Sequence, residues 1–166
     1  LAVQVPRCFD IWEYYAKNAV NFPWSERRPT YDAMNAGFEI LVERKPVGVV
    51  AAIVPWNGPL IVAAMKLAPA LMAGCTAILK PSEDAPLSFC ALAEAFLQAG
   101  LPAGVLNIVG ADREVGEYLV GHPGVDKVSL TGSTVAGRRV GEVCADSMKR
   151  CTLELGGKSA AILLDD

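Results

Sequence analysis

The sequence predicts an α/β fold, an open parallel sheet with helices on both faces. Three observations lead there. From residue 48 onward, strand-like apolar runs alternate with longer segments of helical periodicity. The runs are apolar throughout rather than in alternation, as strands covered on both faces require. Each run also ends in a glycine- or proline-bearing segment, the punctuation of a strand-to-helix connection. With 166 residues, of which 52% are hydrophobic and 20% charged, the chain has the apolar content to enclose one core.

Taken in order, Phe9, Trp12, Ala16 and Ala19 recur at helical spacing and place a helix over 7–21. "NFPWSERRPTYDAMNAG" is polar, aperiodic and Pro-containing, and reads as a loop; "FEILVER" alternates well enough for a strand. The apolar strand 48–54 leads to a helix at 59–73, which Gly74 ends. "TAILK" leads to the helix "PLSFCALAEAFLQ", closed by Gly100 and Pro102, and "VLNIV" leads to the helix "REVGEYLVG". "DKVSLT" leads to the helix "TVAGRRVGEVCA", and "CTLEL" to a last strand-like run, "SAAILL". The first residues look like a helix entered midway and the last stop just after a strand-like run, so both ends of the fold are expected to be truncated.

Several function classes drop out. Residues 46–65 carry no charge and have the length of a membrane span, but Pro46, Pro55, Pro59 and the Asn57–Gly58 turn signal divide them into a strand and a helix. A net charge of −3 without a basic stripe argues against nucleic acid as a partner. Five cysteines, odd in number and without a CxxC pair, suit a reducing, cytoplasmic compartment. His122, the single histidine, falls in the turn "GHPG", and a lone histidine makes a poor metal site.

In open α/β sheets ligands bind beyond the carboxyl ends of the strands. Those ends read "PWNG", "KPSED", "VGAD", "TGST" and "ELGGK". Gly132, Ser133 and Thr134 open a helix, where free N–H groups suit a phosphate or where a hydroxyl simply caps the helix. The usual GxGxxG fingerprint is missing, and "PWNGPL" stands in its place. Lys80 and Glu83 have the chemistry to hydrogen-bond ribose hydroxyls, and the carboxylate would repel a 2′-phosphate; alternatively they form a solvated ion pair beside a cap at Ser82. Asn57, after Pro55 and Trp56, is either an oxyanion donor or a turn residue. Lys66, in the apolar helix "IVAAMKLAPAL", either snorkels to solvent or serves the site. Glu154 leaves a hydrophobic strand as a general base would, and Gly156 and Gly157 let a cofactor ring approach the backbone; alone, it reads as a turn residue.

Together, "PWN", "LKPSE", "LTGST" and "LELGGK", in this order and at these separations, resemble the aldehyde dehydrogenase superfamily. "AGLPAGVLNIV" and "HPGVDKVSLTGSTVAGRRV" look like its intervening elements, so the resemblance runs from about Trp12 to Asp165. It implies a Rossmann-like NAD(P)-binding domain over 47–166, incomplete, preceded by a helix at 1–21 and by a loop and strand of the oligomerisation region at 22–46. Asn57 would supply an oxyanion-hole amide, Lys66 a buried polar group on the proton path, and Glu154 the general base. Trp56, Gly132 and Ser133 would lie along the cofactor pyrophosphate, and Leu155 and Gly156 beside the nicotinamide. Lys80 and Glu83 would hold the adenosine ribose, with Ser82 between them also assigned to the cofactor. The implied cofactor is NAD, with NADP as the alternative, and the implied substrate is a small-molecule aldehyde oxidised to a carboxylic acid through a cysteine thioester. A homodimer or homotetramer is the implied assembly. The family's nucleophilic cysteine lies further from the glutamate of "LELGG" than Asp166, and Cys75, Cys90 and Cys151 each read as buried small hydrophobes. The chain alone is therefore expected to be inactive. A non-catalytic nucleotide-binding or assembly module is the competing reading.

Overall fold

The computed structural model describes residues 4–30, 37–85 and 87–164. Helix α1 (Gln4–Asn21) precedes a two-stranded antiparallel sheet of β1 (Ser25–Pro29) and β2 (Glu39–Glu43). The rest alternates: β3 (Val49–Ile53), α2 (Pro59–Met72), β4 (Thr76–Lys80), α3 (Leu87–Gln98), β5 (Leu106–Ile108), α4 (Arg113–Gly121), β6 (Lys127–Gly132), α5 (Thr134–Asp146) and β7 (Arg150–Leu155). The five later strands form one parallel sheet in the order β5-β4-β3-β6-β7.

That order follows from the connections. The chain runs outward from β3 through β4 to β5, then returns to lay β6 on the other side of β3. Crossovers of one hand place α2 and α3 on one face and α4 and α5 on the other. Side-chain alternation then divides the core in two. Ala52, Val54, Ala77 and Leu79 pack under α2 and α3 with Ala63, Leu67 and Phe89. Ala51, Val128 and Leu130 pack under α4 and α5 with Val120, Val140 and Cys144. Helix α1 lies over the first face, where the Trp12 and Phe96 rings meet edge-on at 5.3 Å.

Every predicted helix and parallel strand appears, with ends shifted by a few residues at most. Two expectations do not hold. Part of the predicted loop is β1, whose "SERRP" carries no apolar alternation; it is held by its backbone ladder to β2 and by charge, with Arg27 on Glu39 at 2.6 Å and Glu26 shared by Arg28 and Arg44. Positions 31–36 of that loop, and Pro86 at the start of the predicted third helix, lie outside the described residues. The run at 159–164 forms no strand: it has no pairing partner among the described residues, and Ile162, Leu163 and Leu164 are all exposed.

Candidate active site

The carboxyl ends of β3, β4, β6 and β7 carry nearly all of the sequence-predicted residues, and the sheet sorts them into two groups. The first lines a cleft of about 390 Å³ on the α4/α5 face, at the crevice where the strand order reverses. Its apolar floor is Ile53, Val54 and Leu130. Its walls are two helical stripes, Arg113, Gly116, Glu117 and Val120 on α4, and Ala136, Arg139, Val140 and Val143 on α5. Lys80, Ser82 and Glu83 stand at its edge with Asp84.

Lys80 ends β4 and is buried, its Nζ donating to the Pro81 carbonyl at 3.1 Å. Burial pushes its pKa below the ordinary lysine value, and the negative charges of Glu83 and Asp112 partly offset that. The stem passes close under α4, so a Cβ at position 116 would lie only 3.2 Å from Lys80 Cε. Glycine is the residue that allows this approach. Ser82 does not cap α3, which begins at Leu87. It shapes a turn instead: its carbonyl accepts from the Ala85 N–H at 3.1 Å, and its own N–H donates to the Val54 carbonyl at 3.0 Å, tying the exits of β3 and β4 together. That turn leaves Glu83 exposed beside the cleft.

At the tip of β6, Ser133 is the N-cap of α5, its Oγ accepting from the Ala136 N–H at 3.2 Å. The capping role weighed from the sequence is therefore present. Asp112 caps α4 in the same way, accepting from the Val115 N–H at 3.0 Å. Gly132 ends β6 and stands in register with Leu155 at the end of β7.

The second group forms on the α2 face. Lys66 does not snorkel outward: it is 9% exposed, and its Nζ donates to Ser129 Oγ at 2.9 Å. Burial lowers its pKa to about 8; Glu154 on β7 pulls it back up and Lys127 pushes it further down. Glu154 is exposed and pairs in register with Thr131, next to Leu155, and Gly156 follows in the open. Trp56 and Asn57 are exposed in the bend between β3 and α2.

The structure thus brings together Lys80, Ser82 and Glu83, and separately Lys66 and Glu154, with Trp56, Asn57, Gly132, Ser133, Leu155 and Gly156 at neighbouring strand tips. Sequence reasoning missed Ser129, whose signal was a hydroxyl between Val128 and Leu130 in the strand "KVSLT". It also missed the facing stripes of α4 and α5, legible as i, i+3, i+4, i+7 sets once the helices are known to face each other. One expectation about the cysteines needs correcting. Cys75 and Cys144 are buried, but Cys90 faces out from α3, Cys151 is exposed on the outermost strand, and Cys8 is half-buried.

An apolar slot between two helices, a lysine and a carboxylate at its edge and a helix N-terminus beside it give this end of the sheet the chemistry to take an apolar ring, hydroxyl groups and an anion. The profile of the aldehyde dehydrogenase family matches residues 1–166. Geranial dehydrogenase of Castellaniella defragrans is 54% identical over 153 residues, 92% of this chain and 31% of that protein. Betaine aldehyde dehydrogenase 1 of Oryza sativa subsp. japonica is 47% identical over 163 residues, 98% of this chain and 32% of that protein. The crystal structure of Mycobacterium tuberculosis aldehyde dehydrogenase complexed with NAD+ superimposes with a TM-score of 0.88 at 46% identity, covering 99% of this chain and 33% of that one. The chain spans about a third of the length of the curated relatives it matches. Matched end to end by the family's profile, and folded as that solved member is, the chain belongs to the aldehyde dehydrogenase family.

Proposed function

We propose that this chain supplies the nicotinamide-cofactor site and the general base of an enzyme that oxidises an aldehyde to a carboxylic acid, with the nucleophilic cysteine outside residues 1–166. The observation that carries this reading is the pairing of a nucleoside-shaped cleft on one side of the strand tips with a buried lysine and a carboxylate on the other.

In this reading Lys80 and Glu83 hold the adenosine ribose at the cleft edge, on the turn that Ser82 shapes. Trp56, Gly132 and Ser133 lie along the pyrophosphate, where the N–H groups opening α5 favour negative charge. Leu155 and Gly156 border the nicotinamide, which when bound serves as hydride acceptor. Asn57 donates from its amide to the substrate oxygen on which negative charge develops. Glu154 takes a proton from the attacking water, and Lys66 sets the electrostatic field around that carboxylate. Residues 22–46 belong to an oligomerisation region, and a homodimer or homotetramer is the assembly. The five thiols suit a reducing, cytoplasmic setting.

Glu83 favours NAD over NADP, because its charge repels a 2′-phosphate. Calorimetric titration of the chain with NAD and NADP tests the cofactor site, and Glu83→Ser tests the preference. The expected result is binding of NAD in preference to NADP, with the ratio falling by about tenfold in Glu83→Ser, a loss of roughly 1.4 kcal/mol of discrimination. Absence of binding by either dinucleotide at millimolar concentration would sink the cofactor site, and an unchanged ratio would remove Glu83 from it. Aldehyde oxidation by the purified 166-residue chain, its mass verified, would overturn the placement of the cysteine elsewhere.

A further inference from the structure

We propose that the Arg139 guanidinium is the stacking surface for the nucleobase in the α4/α5 cleft, with Glu117 as the positioning residue that fixes its plane. This inference rests on reading the cleft as a nucleotide site.

A base held in a slot needs a flat partner for its π-face, and proteins usually provide an aromatic ring. Among the described residues, none that lines this cleft is aromatic; its walls are aliphatic or charged. The planar cations among them are Arg113 and Arg139, and the two differ in how they are held. Arg139 is fixed from the opposite helix. Its Nε donates to Glu117 Oε1 at 2.7 Å, its Nη2 reaches the same oxygen, and its Nη1 lies 3.7 Å from Glu142 Oε2. Among the described residues, no hydrogen bond or ion pair orders Arg113.

The placement suits the role. Arg139 follows Ala136 by one helical turn on α5, and Glu117 adjoins Gly116 on α4, so the ion pair spans the cleft from wall to wall. Both side chains are about half exposed, and an isolated pair of that kind contributes little to fold stability. Its consequence is order. A guanidinium held by two N–H groups on one carboxylate keeps its plane, and a pre-ordered plane loses less entropy when a ring stacks on it. Stacking on a delocalised cation also tolerates any base edge, so the cleft should select by ring area rather than by hydrogen-bond pattern.

The test is calorimetric titration of the chain with ADP, IDP and CDP, alongside inorganic pyrophosphate. The parent should bind ADP and IDP alike and CDP more weakly. Arg139→Ala should weaken ADP by about five- to tenfold and narrow the gap between ADP and CDP, with pyrophosphate unchanged. Arg139→Lys, which keeps the charge and the helix but not the plane, should bind as poorly as Arg139→Ala, and Glu117→Gln should fall between them and the parent. Arg139→Ala binding ADP as tightly as the parent would overturn the inference while leaving the cofactor reading in place. Full recovery in Arg139→Lys would overturn it too, since charge alone would then suffice. Failure of the parent to bind any of the nucleotides would bring down both readings together.

Discussion

Lys66 shows how a single residue ties stability to chemistry in this fold. It sits on α2 among alanines and leucines, and its Nζ donates to Ser129 Oγ at 2.9 Å. Desolvation lowers its pKa from 10.5 to about 8. The sign follows from linkage: below about pH 8 the folded state must hold a buried ammonium that the unfolded chain hydrates freely, so the group destabilises. As pH rises from about 8 towards 10.5, the unfolded chain binds the extra proton and the penalty fades. Lys66→Met should therefore be more stable than the parent at pH 7, and the difference should shrink by pH 9.5, as read by urea denaturation at both values. A stability difference independent of pH would mean that Lys66 titrates as an ordinary surface lysine. At this scale the sequence was legible as to place: Lys80 and Glu154 lie at the carboxyl ends of β4 and β7, and Glu83 stands at the edge of the cleft. It was not legible where the role depends on a distant neighbour. Ser129 matters because α2 lays a lysine on it, and Gly116 because Lys80 passes beneath it; neither fact is local in sequence.

Among the elements, the strands of the main sheet were readable because burial on both faces leaves an unbroken apolar run. The errors fell where pairing rather than burial makes the strand. β1 is polar and is defined by its ladder to β2, whereas "SAAILL" has strand composition and no partner among the described residues. β3 and β6 are joined by a device that the sequence does not display. Asp126 Oδ2 accepts from the Val49 N–H at 2.7 Å, and the Asp126 N–H donates to the Val49 carbonyl at 2.9 Å. This clamp requires residue 48 to lack a side chain. Gly48 has φ of +116°, and a Cβ there would lie 2.0 Å from Asp126 Oδ2. Gly48→Ala combines backbone strain with loss of the clamp and should cost about 2–4 kcal/mol. Asp126→Ala loses only the side-chain hydrogen bond and should cost about 1 kcal/mol. The two are compared by urea denaturation, and equal costs would show that the backbone at position 48 is unstrained.

For the whole molecule, the uneven distribution of burial is the feature with most consequence. The core lies around the five-stranded sheet, and no residue of α1, β1 or β2 is fully buried. In β2, Ile40 and Leu41 point to opposite faces and are 47% and 55% exposed, while Phe38 just before them is 69% exposed. A two-stranded sheet with both faces and both edges open is marginal in water and gains most by pairing with another chain. If 22–46 is an oligomerisation region, the partner is a second copy, and the chain should assemble through β2. Sedimentation equilibrium at micromolar concentration should then give at least twice the monomer mass. Leu41→Glu should shift the chain towards monomer while leaving the proposed NAD binding intact, because the residues lining the cleft come from the main sheet, its strand ends, α4 and α5 rather than from β1 or β2. Ile162→Asp provides the contrast, since the exposed run at 159–164 and the open edge of β7 offer a second, less specific route to association. A monomer at every concentration would remove the oligomerisation role of 22–46. Assembly that survives Leu41→Glu and disappears in Ile162→Asp would move the contact to the β7 edge, and the exposed apolar residues of β2 would then have no established partner.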